Sequence, residues 1–349
     1  MTLYSLGLNL GENMTYLEMQ KKRVEKIESI LIETDYRIAQ RYKLARDNVT
    51  NLVKDAYAKH LVGIDGADYY KTLNLYNRMK TLNQDIKGVY IDVGKSLRKD
   101  ITDSMYQVFD ESYAMSRYTT AFFTNTKGLD IAYQPPNSLL RDAVVTGDAD
   151  RLKMIRNKRI QKMAQGMFPP SGDTLTGMLV DNMNKQLATT MKVVKQGLIN
   201  GESYVRQAKR LKKVFDGNTY NALRVARTEG NRLLNAGAYL NSEEYKEAGV
   251  KIRRQWVATV DERTRDSHQH LDGTFEDDDG YFWIGGEKAH YPGGFSDPAE
   301  TIHCRCTVID VVEGLEPTLQ RGINPLTGKK DIATFSEFES WKRAAWKKK

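Results

Sequence analysis

The sequence predicts an α+β protein that is mostly α-helical, with a long helical region before a small C-terminal unit of short sheet and large ordered loop. Two observations carry this prediction. Residues 16–62 contain neither proline nor glycine, and Val24, Ile27 and Leu31 recur at helical intervals. After residue 250 the pattern changes to short apolar alternation, followed by a segment rich in glycine, aspartate and aromatic residues.

The composition is that of a folded chain with two or three domains. Of the 349 residues, 40% are hydrophobic and 28% charged, and the 19 tyrosines and 10 phenylalanines argue against wholesale disorder. The chain has no basic start followed by an apolar run, so we expect neither a signal peptide nor a membrane span. Both cysteines belong to one C-x-C motif, which fits free thiols in a reducing compartment.

Further helices are expected after the first. Residues 69–123 read as a second helical stretch, with Gly88 and Gly94 as candidate breaks, and Pro135 and Pro136 then predict a loop. Another break is expected at "GMFPPSGDTLTG", residues 166–177.

Two more helices are predicted before the C-terminal unit. One begins near Ser203 and carries a basic run, and a separate one covers residues 218–249, where Gly249 is a candidate C-terminal cap. Earlier, Met183 and Val194 belong to an apolar stripe that predicts a buried seam.

Strands are expected in the C-terminal third. "KIRRQWVATV" (251–260) reads as a half-buried strand with Arg254 as the exception, and "CRCTVIDVV" (304–312) as a second strand. The predicted organisation is a helical arm or bundle (1–125), a helical linker region with proline-rich loops (126–200), an α+β domain (201–312) and a tail with a short helix (313–349).

Basic residues are locally concentrated, in a chain of formal charge +8. Such runs neutralise phosphates, although solvated helix faces also carry them. The candidates for DNA contact are Arg151, Lys153, Arg156, Lys158, Arg159, Lys162, Lys209, Arg210, Lys212 and Lys213.

Histidines and cysteines cluster in residues 268–306, which raises the possibility of zinc. The C-x-C spacing argues against it, because two residues along a strand place Cys304 and Cys306 on one face about 7 Å apart. We therefore expect no cofactor and no metal, with packed and hydrogen-bonded side chains instead. The alternative is a zinc ion held by His268, His303, Cys304 and Cys306.

The segment "DERTRDSH" combines a carboxylate, arginines and a histidine, which are groups that a phosphodiesterase uses. No cluster of acidic residues with metal-binding spacing accompanies them, and Glu276 with the following aspartates reads as a solvated turn. We expect no catalytic residues, and the alternative is a DNA- or nucleotide-acting hydrolase centred on His268.

The predicted helix "RVARTEGNRLLNAG" carries a stripe of polar side chains along one side, and these side chains need polar partners. The expected partners lie on the strand and loop that follow, with Arg227 or Glu229 pairing with Asp261, Arg263 or Arg265.

The order of these motifs resembles the phage Mu F-like minor head protein family, also called head morphogenesis proteins. The resemblance covers about residues 195–312, and it lies in "ARTEGNRLLN", then "W-x4-D-x-R-T-R-x-x-H", "LDG", a proline-bearing loop and "CRC". The tail "FSEFESWK" also looks like the helix that closes such proteins. One departure is His303, where the family more often has asparagine. The motif residues are Arg227, Thr228, Glu229, Trp256, Asp261, Arg263, Thr264, Arg265, His268, Asp272, Gly273, Cys304, Arg305 and Cys306.

The resemblance implies a structural protein of a tailed bacteriophage, located in the head interior near the portal and in the host cytoplasm during assembly. The implied partners are the portal protein, major capsid or scaffolding proteins, and double-stranded DNA bound without sequence preference. The implied role is procapsid assembly with DNA packaging or ejection, and no enzymatic activity. Some family members carry a fused toxin domain after "CRC", for which the 37 residues after residue 312 are too few.

Overall fold

The computed structural model describes residues 16–60, 69–125, 135–200, 202–313, 319–323 and 330–334. The described residues are mainly helical, with short strands gathered in the C-terminal third, so the predicted α+β, mostly α class is confirmed. None of the helices described combines the length and the apolar character that crossing a bilayer requires.

The described residues contain four long helices and five short ones. The long helices are α1 (Tyr16–His60), α2 (Tyr69–Asn125), α6 (Leu175–Ile199) and α7 (Tyr204–Glu247). The short helices are α3 (Ser138–Thr146), α4 (Ala149–Met154), α5 (Lys158–Gly166), α8 (Asp266–Leu271) and α9 (Pro298–Thr301).

Two expected helix breaks are wrong. α2 continues through Gly88 and Gly94, and α7 is one helix where two were predicted. The reason in α7 is a continuous apolar stripe, since Leu211, Phe215 and Ala222 are all buried at helical spacing across Gly217. A single glycine costs a helix only about 1 kcal/mol, which such packing outweighs.

The expected loops and caps agree better with the structure. The proline segment separates α5 from α6, and the Thr174 side chain accepts a hydrogen bond from the N–H of Gly177 at the start of α6. α7 ends before Gly249, which has φ +86° and donates its N–H to the Lys246 carbonyl. Residues 126–134 of the first predicted loop lie outside the described residues.

Three small sheets follow α7. β1 (Ile252–Val257) pairs antiparallel with β5 (Thr307–Val312), with Trp256 opposite Val308. β3 (Phe282–Ile284) forms a hairpin with β4 (Glu287–Ala289). β2 (Thr259–Val260) pairs parallel with β6 (Leu319–Ile323), which pairs antiparallel with β7 (Lys330–Thr334).

The strand boundaries correct the sequence prediction in two places. β5 begins at Thr307, so both cysteines precede the strand instead of belonging to it. The tail contains β6 and β7, which were not predicted, and the predicted helix at residues 335–342 lies outside the described residues.

Charged residues penetrate the core of the C-terminal part. Arg254 is fully buried, and its guanidinium contacts the carboxylate of Glu276 and lies over the Tyr239 ring, 4.4 Å from its centroid. Lys246 Nζ reaches the same carboxylate at 2.7 Å. The interpretation of Glu276 as part of a solvated turn is therefore wrong, because its side chain balances two cations in the interior.

The described residues divide into two compact units that each combine distant segments. One contains residues within 1–30, 105–172 and 228–349, and the other residues within 31–104 and 173–227. The four consecutive domains predicted from the sequence stay a prediction, since compactness groups the residues differently.

In the second unit, polar residues occupy part of the predicted seam of α6. Met183 and Val194 are buried, but Gln186 and Thr190 are buried too. The Tyr42 hydroxyl donates to Gln186 Oε1 at 2.7 Å, and the Tyr90 hydroxyl lies 2.6 Å from Thr190 Oγ1. The seam therefore joins α6 to α1 and α2 by hydrogen bonds as well as by apolar packing.

In the first unit, α2 and α7 pack closely at Gly237. A Cβ at this position would lie 2.9 Å from the Phe109 carbonyl oxygen and 2.9 Å from the Tyr113 nitrogen. The Ser112 hydroxyl donates to the Leu234 carbonyl at 2.5 Å in the same contact. The absence of a side chain at Gly237 is thus a condition of this packing.

Gly237→Ala is expected to destabilise the protein by about 1–3 kcal/mol, because an added methyl group has no space against the α2 backbone. Chemical denaturation monitored by circular dichroism measures the change. Gly217→Ala in the same helix is the matched control, since nothing lies within 4 Å of its added Cβ. Equal unfolding midpoints for the two variants would contradict the proposed packing constraint.

Candidate functional site

Several of the predicted motif residues meet around α8, the strand β1 and the segment that leads into β5. α8 carries His268, which is 1% exposed and packs edge-on against the Trp256 ring, with centroids 5.5 Å apart. Cys304 and Cys306 are 3% and 2% exposed. The three side chains form one buried cluster.

A sharp turn before β5 brings both thiols to the histidine. His303 has φ +58°, the one positive value among the described residues other than glycine, and the Cys304 N–H donates to the Thr301 carbonyl at 3.2 Å. This turn replaces the extended geometry that placed the cysteines about 7 Å apart along a strand. The spacing argument against a shared ligand therefore fails in the structure.

The distances within the cluster are short. His268 Nδ1 lies 3.3 Å from Cys306 Sγ and 3.6 Å from Cys304 Sγ. His268, Cys304 and Cys306 can each offer one atom such that all lie within 4.8 Å of one another. His303 is exposed and does not belong to this set, so the structure brings together three of the four candidate ligands.

The opposite edge of the imidazole faces a carboxylate that sequence reasoning missed. His268 Nε2 is 2.9 Å from Glu300 Oε2, although this oxygen lies off the direction of a good hydrogen bond. Ser267 Oγ donates to the same oxygen at 2.9 Å. Glu300 belongs to α9, whose start is marked in the sequence by Asp297 followed by proline, a recognisable helix-capping signal.

The pKa values of the two thiols shift in opposite directions. The Cys304 thiol donates to the Cys306 sulfur, which lowers the pKa of Cys306 and raises the pKa of Cys304. Burial raises both values, while His268 and a backbone N–H of Thr259 further favour the Cys306 thiolate. The cluster thus holds one negative charge more easily than two.

A second group of motif residues fixes the loop after β2. Arg305 Nη2 lies 2.6 Å from Asp261 Oδ1, and Arg305 Nη1 contacts the other carboxylate oxygen. Asp261 also accepts the Arg263 N–H at 3.0 Å and the Thr264 hydroxyl at 3.1 Å. Burial alone would raise the pKa of Asp261, but Arg305 and these donors lower it to about 2.

The remaining motif residues also bind the backbone. Asp272 Oδ1 accepts the Ala258 N–H at 2.8 Å, and Gly273, at φ +77°, donates to the Trp256 carbonyl at 2.9 Å. Arg265 Nη2 donates to the Ile302 carbonyl at 2.5 Å, next to the turn that carries the cysteines. These contacts fix the backbone around the cluster.

The expected partners of the polar stripe on α7 are wrong. Arg227 binds Asp35, with Nε 2.8 Å from Oδ2, and Glu229 binds Arg232 of its own helix at 2.8 Å. Arg232 is fully buried and donates to the carbonyls of Met167 and Val144. Side chains three positions apart on one helix are neighbours, which explains why Glu229 pairs locally.

Asparagines of the stripe provide the link to β5. The Asn235 side chain accepts the Val308 N–H at 3.1 Å and donates to the Cys306 carbonyl at 3.1 Å. Asn231 donates to the same carbonyl at 3.3 Å. Asn235 thereby pairs with the backbone of β5 as a neighbouring strand would.

The basic candidates fall into two groups. Four of them form ion pairs with acidic residues: Arg151 with Asp142, Lys153 with Asp150, Arg159 with Glu247 and Arg210 with Glu202. Exposed positions without an ion pair to another residue that the structure describes are Arg156, Lys158, Lys162, Lys209, Lys212 and Lys213.

The segment that carries most of these motif residues is similar to a known phage protein family. Residues 188–309 match the family described as Phage Mu protein F like protein, which confirms the resemblance. The match covers about a third of the chain, and it concerns this segment alone.

Three relatives extend the comparison. The chain is 22% identical to "Minor head protein GP7" of Bacillus phage SPP1 over 330 residues, 93% of this chain and 96% of that protein. It is 33% identical over 173 residues to "NAD(+)--arginine ADP-ribosyltransferase EFV" of Enterococcus faecalis, and 25% identical over 196 residues to a Haemophilus influenzae protein. It spans only 35% of each of the last two. No solved structure matches.

Asp261→Asn is expected to lower the free energy of unfolding near pH 7 by about 1–2 kcal/mol, because the depressed pKa of Asp261 reflects favourable contacts of its charged form. In the wild type this contribution is present above pH 4 and is lost as pH falls from about 4 towards 2. The difference between wild type and variant should therefore shrink over that range. Urea denaturation at each pH measures it.

Glu262→Gln, an exposed neighbour, is the control and should leave the unfolding curve unchanged at pH 7. A constant difference between wild type and Asp261→Asn from pH 7 to pH 2 would contradict the role given to the charge.

Proposed function

We propose that the protein is a minor head protein of a tailed bacteriophage that acts in head morphogenesis. The observation that carries this proposal is the similarity to GP7 over 93% of this chain and 96% of that relative. The Mu F-like segment agrees with it. The proposed location is the virion, in the head interior near the portal, and the host cytoplasm during assembly.

The proposal includes association with the portal and with major capsid or scaffolding proteins. It is supported by exposed apolar side chains on one helix of the second unit. Ile32, Tyr36 and Leu44 of α1 are 55%, 61% and 56% exposed and are spaced at multiples of four residues. An apolar stripe of this kind fits a groove on a partner protein.

The proposal also includes contact with packaged double-stranded DNA. Lys209, Lys212 and Lys213 are exposed on consecutive turns of α7, and Arg156, Lys158 and Lys162 are exposed on and beside α5. Lysine and arginine at such positions neutralise phosphates without reading the sequence.

No catalysis is proposed. The name of the E. faecalis relative describes an activity of a protein of which this chain spans 35%. For a hydrolase centred on His268, the burial of the imidazole among Trp256 and two thiols argues against its use as a base on a polymer substrate.

The portal association predicts that Ile32→Ser/Tyr36→Ser/Leu44→Ser lowers incorporation into heads several-fold, because the apolar stripe is lost. The measurement is quantitative mass spectrometry of heads assembled with and without portal protein. Ile199→Ser/Val205→Ser, which also removes exposed apolar side chains, is the control and should incorporate normally. Incorporation independent of the portal would refute the association.

The DNA contact predicts binding to duplex DNA that weakens steeply with salt and differs little between sequences. Lys209→Gln/Lys212→Gln/Lys213→Gln should reduce the slope of log K against log salt by about 2–3, since each lost phosphate contact accounts for about 0.9. Fluorescence anisotropy at several salt concentrations measures this slope.

The control for the DNA prediction changes the net charge equally at scattered exposed sites, as Lys99→Gln/Lys185→Gln/Lys251→Gln. Equal slopes for the two triple variants would assign the effect to overall charge, and salt-independent binding would exclude the proposed contact.

A further inference from the structure

We infer that His268, Cys304 and Cys306 form a zinc-binding site, with Glu300 as the outer carboxylate that orients the histidine. The inference concerns the Mu F-like domain itself and does not depend on the role of the protein in the head. It identifies His268 Nδ1 and the two cysteine sulfurs as ligand atoms.

The first argument is the set of distances. A tetrahedral zinc ion with Zn–S of about 2.3 Å and Zn–N of about 2.0–2.1 Å separates a sulfur from a nitrogen ligand by about 3.5–3.6 Å. His268 Nδ1 lies 3.3 Å from Cys306 Sγ and 3.6 Å from Cys304 Sγ. Both nitrogen–sulfur distances are therefore close to those that one shared ion requires, and all three ligand atoms lie within 4.8 Å of one another.

The second argument is the surroundings of the histidine. Histidines that bind zinc commonly direct their second ring nitrogen to a carboxylate, which fixes the ring and raises its basicity. Here Nδ1 faces the thiols, while Nε2 lies 2.9 Å from Glu300 Oε2, close to the carboxylate although off the direction of a good hydrogen bond. Ser267 donates to that oxygen at 2.9 Å and holds the carboxylate in place.

The third argument is charge. Two thiolates and one neutral imidazole balance a divalent cation, so the loaded site is neutral where it is buried. Imidazole and thiolate together select zinc over magnesium or calcium, which take oxygen ligands. Zinc sites with three protein ligands complete their coordination with a further small ligand such as water.

The site would join three parts of the domain that have little regular structure of their own. His268 lies in the six-residue helix α8, the cysteines precede β5, and Glu300 lies in the four-residue helix α9. A shared ion would tie these short segments together, which explains why C-R-C and a histidine occur with the backbone-binding residues of the motif.

The test begins with the full chain, produced in zinc-supplemented medium without a polyhistidine tag and passed over a desalting column. Elemental analysis by plasma mass spectrometry is expected to find one zinc per chain. The metal-free wild type, prepared with a chelator under reducing conditions, should take up one equivalent of zinc or cobalt(II). The cobalt form should show a sulfur-to-metal charge-transfer band and the intense visible bands of tetrahedral coordination.

Variants distinguish this site from surface binding. Cys306→Ser and His268→Gln should lose the zinc and the cobalt charge-transfer band, whereas His303→Gln and His270→Gln, both exposed neighbours, should keep them. Glu300→Gln should weaken zinc binding about 10–100-fold in competition with a chelating dye, as expected for an outer carboxylate.

Wild-type protein that contains no zinc and takes up neither metal would overturn the inference, and no folding defect of a variant can produce that outcome. Zinc retained by both Cys306→Ser and His268→Gln at the wild-type amount would overturn it as well, because binding would then lie elsewhere.

Discussion

The C-terminal part of the structure depends on the contact between Asn235 and β5. The side-chain oxygen of Asn235 accepts the Val308 N–H, and its side-chain nitrogen donates to the Cys306 carbonyl. A side chain of α7 thus satisfies backbone groups of an edge strand. All six residues of β5 are buried, which leaves their polar groups without access to water. The contact therefore sets where β5 begins and hence where the turn with both cysteines lies.

Buried charges surround the same strand and restrict how the helices can pack on it. Arg23 of α1 donates to Ser116 Oγ at 2.8 Å and to the Val308 carbonyl at 3.2 Å. Further along β5, the Asp310 carboxylate accepts hydrogen bonds from Ser242 and Asn241 of α7. Burial raises the pKa of this carboxyl. Leaving a polar group unpaired in the interior costs about 1–3 kcal/mol. These contacts therefore favour the observed packing of α1 and α7 on β5 over packings in which a helix is shifted along the strand.

The sequence was sufficient to predict elements whose signal is local. Helical spacing predicted helices where the long helices lie, although α7 was expected as two, and glycine and proline predicted the break before α6 and the cap at Gly249. It failed where distant residues decide the outcome. Arg254 was an anomaly in a strand pattern because its counter-charge, Glu276, lies 22 positions further on, and Glu300 has no motif that relates it to His268. Several residues of the family motif lie together in the structure, but periodicity did not predict the pairs they form.

The turn at His303 shows why the spacing of ligand residues needs its backbone context. On an extended strand, residues 304 and 306 point to one side and stay about 7 Å apart, which disfavours a shared ligand. At φ +58° the preceding residue reverses the chain and both thiols reach one imidazole nitrogen. Positive φ costs a residue with a side chain about 1 kcal/mol or more, so the surrounding contacts must maintain the turn. The Thr228 hydroxyl, which accepts the His303 N–H at 3.3 Å, and the Arg265 contact with the Ile302 carbonyl supply that support. The motif residues Thr228 and Arg265 thereby position the two cysteines indirectly, through hydrogen bonds to the backbone of the turn that precedes them.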